Sequence, residues 1–219
     1  MGNESTSAER GLRADAERNR QRVIEAAREV FAEQGLDASL NEVARRAGVG
    51  VATLFRRFPN REDLITATFA HKMAAYADAT DEALADPDPW HGFCTYVERV
   101  CAMQAEDRGF TEVLTHTFPS AEQLEVERIR ATAGFAELMR RAKAAGRLRQ
   151  DFEHVDLALL LMANAGVVAV TADAAPEAWR RLVGYLLQSF ATEGATTLPA
   201  APAPEEILDA LLHLDATDE

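Results

Sequence analysis

Apolar residues recur along this chain with the period of a helix, and no segment alternates in the manner of a half-buried strand, so the pattern predicts an all-α protein. From Leu12 to Gln34 the positions Val23, Ile24, Ala27, Val30 and Phe31 form one stripe, as on a helix packed along a single side. Gly35 follows, a residue suited to a left-handed stop. Ser39 and Glu42 stand at capping-box spacing and predict a second, short helix over LNEVARRA, with Leu40, Val43, Ala44 and Ala47 on one face. Gly48 ends it, and Gly50 is a tolerable N-cap for a third helix, VATLFRRF. Pro59 pushes its predecessor out of helical geometry and closes that helix. Asn60 can then cap a fourth, with Glu62 and Asp63 in the first turn, where the helix dipole favours acid.

The amphipathic pattern of this fourth helix runs from Arg61 through Leu64, Ile65, Thr68, Phe69, Met73 and Tyr76 to Leu84, and the DPDP segment at 86–89 breaks it. Further helices are expected at 90–106, 109–118, 120–145, 153–173 and 176–193. A proline-rich linker at 195–204 and a short terminal helix over EEILDALLHL follow. The expected organisation is a flexible polar arm at 1–19, a small helical domain at 20–65, a larger one at 66–194 and a tail at 195–219.

Charge changes the picture. The chain of 219 residues carries a net charge of -13, yet its first 65 residues hold eleven Arg against eleven Asp or Glu, so the whole excess of acid falls beyond residue 65. Within 39–61 the bias reverses, with Arg45, Arg46, Arg56, Arg57 and Arg61 facing only Glu42. Such a patch can engage a polyanion, because salt hides the distant acidic body over a Debye length of about 8 to 10 Å. The first twenty residues lack the apolar stretch of a signal peptide, and the longest apolar run, LALLLMANAGVVAV, is interrupted by Asn164 and Gly166. No membrane partner is expected, and the expected location is the cytosol.

Cys94 and Cys101 stand seven apart on a predicted helix. The resulting separation of about 10 Å is too long for a disulfide within one straight helix, so they read as small core residues rather than a redox pair. His71, His91, His116, His154 and His213 are scattered without metal-ligand spacing, so no metal or cofactor is expected. Glu98, Glu106, Asp107, Glu112 and His116 are the available titratable groups for an enzyme. No nucleophile elbow, phosphate loop or Ser/His/Asp order accompanies them, and no catalytic residue is assigned.

Two short helices joined by a glycine turn and braced by a first helix make a helix-turn-helix. On the third helix Leu54 and Phe58 are four apart and face inward, which leaves Val51, Ala52, Thr53, Phe55, Arg56 and Arg57 on the arc that enters a major groove. Arg56 and Arg57 are suited to guanine edges or phosphate, and Arg45 adds charge beside them. Thr53 and the start of the second helix, at Ser39 and Leu40, are suited to phosphate oxygens.

With these residues in view, AGVGVATLFRRFPNREDL resembles the DNA-binding domain of TetR-family transcriptional regulators, whose pattern is close to AGVS, two variable residues, TLYxHF, two variable residues and K-E-x-L. Thr53, Leu54, Phe58, Glu62 and Leu64 agree outright. Gly50 stands where Ser is frequent, Phe55 for Tyr, Arg57 for His and Arg61 for Lys. The Tyr and Lys of the family commonly hold phosphates, so Phe55 loses a hydrogen bond that Arg57 and Arg61 could offset. The resemblance implies a homodimeric, ligand-responsive regulator, most often a repressor, on a pseudo-palindromic DNA operator. It also implies a helical ligand-binding and dimerisation domain whose last two long helices, 153–173 and 176–193, meet a second copy. Leu157, Leu160, Leu161, Asn164 and Val168 on the first, and Trp179, Leu182, Leu186 and Phe190 on the second, are the expected stripes. Packing of these stripes within one subunit is the alternative. A ligand pocket is expected among Phe69, Met73, Tyr76, Phe93, Tyr96, Val100, Met103, Phe110, Phe135 and Met139. His116, Gln104 and Asn164 are its candidate polar anchors, which points to an apolar or aromatic small molecule.

Overall fold

The computed structural model describes residues 3–115, 118 and 120–207. Among them the regular elements are helices: α1 (Asn3–Gln34), α2 (Leu40–Ala47), α3 (Val51–Arg57), α4 (Arg61–Leu84), α5 (Pro89–Glu106), α6 (Arg108–Thr115), α7 (Glu122–Ala144), α8 (His154–Thr171) and α9 (Ala178–Phe190). One isolated antiparallel bridge joins Leu148 to Ala191. The chain divides into two compact units between Ala70 and His71, a boundary that falls inside α4. The N-terminal helix is longer than the hydrophobic pattern predicts. It begins at Asn3, so residues 3–19, expected as a flexible arm, are helical. Their lack of apolar periodicity hid them, because a polar helix carries no stripe to read.

In the first unit Val23, Ala27, Val30 and Phe31 of α1 are buried with Val43 and Ala44 of α2, Leu54 of α3, Phe58, and Leu64 and Ile65 of α4. Ser39 caps α2 by accepting a hydrogen bond from the Asn41 backbone N–H at 3.3 Å. The reciprocal half of the expected capping box is not made, because the Glu42 carboxylate accepts from Arg45 at 2.6 and 2.7 Å instead. Gly48 stands at φ 66°, where a side chain is strained. The backbone N–H groups of Gly48 and Val49 donate to Arg45 and Ala44 carbonyls at 3.2 and 3.0 Å, closing α2. Asn60 caps α4 as expected, its Oδ1 accepting from the Asp63 N–H at 2.8 Å.

The second unit is organised around α5, which packs against α6, α7, α8 and α9, while α8 packs on α9. Asp88 caps α5 by accepting from the Trp90 and His91 N–H groups at 2.9 and 3.2 Å. Its core is aromatic. Phe93 stacks on Trp90 and Phe135 at centroid distances of 5.6 and 5.8 Å and meets Phe152 edge-on at 5.5 Å. Tyr96 stacks on Phe135 at 5.4 Å. The C-terminal half of α4 lies close on α7, where a side chain at Gly134 would collide with Thr80 Oγ1 at 2.3 Å. Arg130 of α7 clamps the pair by donating to Asp78 and Asp81 at 2.6 and 2.8 Å.

Helix α8 corrects one expectation from the sequence. Among the described residues it is the one helix long and apolar enough, by length and composition alone, to cross a membrane, Asn164 and Gly166 notwithstanding. Asn164 is turned inward, its Nδ2 donating to Gln104 Oε1 at 2.9 Å and to the Cys101 carbonyl at 3.3 Å. Leu157, Leu160 and Leu161 are buried beside it. Four of the five α8 residues expected at a dimer surface are therefore internal, and the fifth, Val168, is half-buried. The apolar residues that α8 leaves exposed are Leu159 and Val170, the latter 86% accessible. On α9 the buried line is Trp179, Val183 and Leu187, one register from the expected stripe, and Leu182, Leu186 and Phe190 are half-buried.

Buried Asp107 joins three elements of the second unit. Its Oδ2 accepts from Lys72 Nζ at 2.7 Å, and its Oδ1 accepts from the Phe110 N–H at 3.2 Å in the first turn of α6. Asp107→Ala removes both and strands a half-buried ammonium. The expected result is a loss of about 2 to 4 kcal/mol in urea denaturation, larger than for Lys72→Met, which removes the charge and keeps the packing.

Candidate functional site

Helix α3 has seven residues, too short to hold itself together in water, and it exists because one side is buried. Leu54 and Phe58 occupy that side, and the Arg20 guanidinium of α1 stands 5.9 Å from the Phe58 ring. What remains faces solvent. Val51 is 39% and Phe55 42% exposed, Ala52, Arg56 and Arg57 are exposed, and Thr53 is half-buried. Gly50, the N-cap, contributes no side-chain cap. A small first turn ahead of two arginines is the relief that allows a helix to approach base edges closely.

The arginines of the unit divide into two sets. Arg46 is held by Glu33 of α1 at 2.7 Å, with Glu29 at 3.9 Å and Glu42 at 3.5 Å. Arg45 is exposed but doubly bonded to Glu42. These guanidinium contacts hold the Glu33 and Glu42 carboxyls below the ordinary carboxylate value. Arg61 is half-buried and donates through Nη1 to the Leu36 and Ala38 carbonyls at 2.5 and 2.7 Å, tying the α1–α2 loop to the start of α4. This contact gives Arg61 a structural role through Nη1, while the residue stays partly exposed. Arg56 and Arg57 make no ion pair and no side-chain hydrogen bond with the described residues. The basic excess read over 39–61 thus contracts to this pair, since acids of α1, outside that window, neutralise part of it. Ser39 is exposed and Leu40 half-buried at the opening of α2.

The second unit holds a cavity with a volume of about 410 Å³. Tyr76, Leu114, Arg128, Thr132, His154, Val155, Leu157, Ala158, Leu161, Pro204 and Ile207 line it. Of the residues expected at a pocket only Tyr76 is among them. Phe69 belongs to the first unit, where it stacks on Phe31 at 6.2 Å. Met73, Phe93, Tyr96, Val100, Phe110 and Phe135 are buried core, and Met103 and Met139 are half-buried away from the lining. Asn164 and Gln104, expected as polar anchors, bond to each other away from the lining, with Asn164 Oδ1 and Gln104 Nε2 left buried without a hydrogen-bond partner among the described residues. His116 lies outside the described residues. The aromatic cluster fills space instead of enclosing it, as rings at helical spacing on facing helices commonly do.

Of the cavity's polar groups Tyr76 is the one expected from the sequence, and Arg128, Thr132 and His154 are not. Arg128 of α7 donates to the Val113 and Leu114 carbonyls at 2.7 and 3.0 Å and to Glu125 at 3.2 Å. His154, at the start of α8, packs edge-on against Phe135 at 5.1 Å while its outer side stays accessible. Desolvation on the packed side lowers its pKa from the ordinary 6.5. Tyr76 is buried, which raises its phenol and keeps it a neutral donor. Burial also pushes the Cys94 and Cys101 thiols up to about 12, so neither is a thiolate near neutrality and the redox reading has no support. No group of three His, Cys, Asp or Glu among the described residues is placed to hold a metal ion.

Comparison with known proteins agrees with this arrangement. Residues 23–68 match the family described as bacterial regulatory proteins, tetR family. Residues 88–190 match the C-terminal domain described as transcriptional regulator SbtR-like. An HTH-type transcriptional regulator of Staphylococcus aureus (strain USA300) is 43% identical over 54 residues, 24% of this chain and 29% of that protein's length. The chain therefore spans less than a third of the curated relatives it matches. Among solved structures, the fatty acid degradation regulator FadR from Bacillus halodurans shares the fold at TM-score 0.56 and 21% identity, covering 76% of this chain and 96% of that one. FadR from Bacillus subtilis, solved with stearoyl-CoA, does so at TM-score 0.52 and 19% identity over the same shares. The helix-turn-helix geometry and the two family matches lead to one assignment: the chain belongs to the tetR family of bacterial regulatory proteins.

Proposed function

We propose that the chain is a repressor that binds a pseudo-palindromic operator as a homodimer and leaves it when an apolar or aromatic small molecule enters the cavity of the second unit. The observation that carries this reading is the pair Arg56 and Arg57, exposed and without acidic partners on a helix whose first turn is small. In a chain of net charge -13, two uncompensated guanidiniums on one short helix mark where a polyanion is to be met. The acidic excess beyond residue 65 would then set the orientation of the complex, DNA on the side of α3.

A second copy is supported by α8 and α9. Only 28% of α8 is buried within the chain, and Leu159 and Val170 on α8 with Tyr185 on α9 leave large apolar groups exposed. A symmetric contact through these helices would cover them and present two α3 helices to successive major grooves, spaced roughly 34 to 36 Å or somewhat more. Effector chemistry is argued from the lining: mostly aliphatic walls, with Tyr76, Thr132, Arg128 and His154 as hydrogen-bonding groups and no carboxylate. That set admits a compact apolar molecule bearing a neutral or anionic acceptor and rejects a cation. Helix α4 carries Tyr76 and begins directly after α3, so a ligand displacing it would bias the reader. By linkage, operator weakens ligand binding by the same factor. A DNA-bound regulator of this kind works in the cytosol.

Binding to the DNA upstream of the gene, measured by gel shift over a salt series, should show a steep negative dependence of log affinity on log salt. Arg57→Ala should flatten that slope by about 1 and Arg56→Ala by a similar amount, unless one of them reads a base and costs about 1 to 3 kcal/mol of discrimination instead. A slope near zero in the wild type would contradict phosphate engagement altogether.

His154 offers a separate check on the cavity. Its folded-state pKa is depressed, so the native state resists a proton that the unfolded chain accepts. Its contribution is complete above the ordinary value of 6.5 and declines as pH falls toward the folded value. An NMR titration should place the His154 midpoint below 6.5 in the free protein, and a midpoint at or above it would show that the ring is not desolvated against Phe135.

A further inference from the structure

Residues 195–207 lie beyond both stretches matched by known families, yet they help to build the cavity. Pro204 and Ile207 stand in its wall with Leu157 and Leu161 of α8 and Tyr76 of α4. The segment reaches that position from a fixed point. Where the chain leaves α9, the Thr192 N–H donates to the Arg147 carbonyl at 2.9 Å and the Arg149 N–H to the Phe190 carbonyl at 3.0 Å, around the Leu148–Ala191 bridge. The Arg149 side chain is 6% exposed and already oriented by Asp151, to which Nε and Nη2 donate at 2.5 and 2.9 Å. From there Nη1 donates to the Ser189 carbonyl at 3.3 Å and Nη2 to the Thr196 carbonyl at 2.5 Å. A buried guanidinium pinned by a carboxylate thus fixes the first residue of the tail.

Three prolines, Pro199, Pro202 and Pro204, occupy the stretch that follows. Each fixes φ and lacks a donor, so the segment favours an extended course, and the eight residue-to-residue steps from Thr196 to Pro204 span up to about 25 Å. The course ends in a helical turn at 204–207. The Ala203 carbonyl accepts from the Glu206 and Ile207 N–H groups at 3.0 and 3.3 Å, and the Ala203 N–H donates to Glu206 Oε2 at 2.9 Å. This reciprocal cap sets the direction of Ile207. An anchor, a stiff spacer and an oriented apolar side chain on a cavity are the parts of a strap.

We propose that residues 196–207 are a strap, held at Arg149, that lays Pro204 and Ile207 across the cavity so that these two residues select the effector and the seating of the strap controls its entry and escape. This rests on the reading of the cavity as the effector site. With Pro204 and Ile207 on its wall the cavity favours compact apolar molecules over ones that protrude. Release would require the turn at 204–207 to lift, which breaks apolar contact but leaves the Arg149 anchor intact.

The test uses the full dimeric protein and 1-anilinonaphthalene-8-sulfonate, an anionic aromatic probe that fluoresces in apolar surroundings. Ala158→Trp fills the cavity and identifies the part of the signal that comes from it. Full-length Ile207→Asp and a chain ended after residue 195 should each weaken this cavity-specific binding by about tenfold, chiefly through faster dissociation in stopped flow. Should the shortened chain fail to fold, Ile207→Asp alone carries the comparison. Affinities and dissociation rates of both variants within about twofold of wild type would overturn the strap while leaving the cavity as the effector site. Wild-type binding insensitive to Ala158→Trp would overturn the cavity reading itself, and the strap with it.

Discussion

Burial of Leu54 and Phe58 decides what the first unit offers to a partner. A helix of seven residues has too few internal hydrogen bonds to persist alone, so its stability and its orientation come from the same contact. With those two side chains inward, the helical period leaves Val51, Ala52, Phe55, Arg56 and Arg57 no place but solvent. The supports on either side serve that placement. Gly48 turns the chain out of α2, and Arg61 fastens the α1–α2 loop to the beginning of α4. Phe31 and Phe69 stack beneath. None of them lies on the exposed face, and each holds the angle at which that face is shown.

Electrostatics refine the picture by subtraction. Five arginines lie between residues 39 and 61, and the fold engages three of them: Arg46 with α1, Arg45 with Glu42, and Arg61 with two carbonyls. A guanidinium already paired gains less from a phosphate than a free one, because the existing contact must be exchanged. Arg56 and Arg57 are left exposed and without an ion pair among the described residues, and Arg45 is exposed and held only by its neighbour one turn away.

The second unit separates filling from enclosing. Its aromatic residues, conspicuous in the sequence, meet one another around Phe93 and Phe135 and leave no room. The cavity forms where side chains of α7 and α8 face the tail, and apart from Tyr76 its polar groups come from residues that sequence pattern gives no reason to choose. Arg128 is an arginine on a helix rich in charge. His154 sits at a helix start, and Ile207 follows a proline run. The same substitution of neighbours explains α8: Leu157, Leu160 and Leu161 satisfy their apolar surface within the chain, and the large apolar residues left exposed, Leu159 and Val170, lie on the other side of the helix.

The helices, their stops at Gly35, Gly48 and Pro59, the caps at Ser39 and Asn60 and the outward arc of α3 were determined by the sequence alone, because each follows from the period of the helix and from backbone chemistry within a few residues. Even the DNA-binding assignment was readable there, since its motif is local. Tertiary structure alone decided which arginines are already engaged, which aromatic rings are core, and where the cavity lies. Those outcomes depend on partners far away in the chain, Glu33 for Arg46, Gln104 for Asn164 and Pro204 and Ile207 for the cavity wall, and no local period encodes a contact that only folding creates.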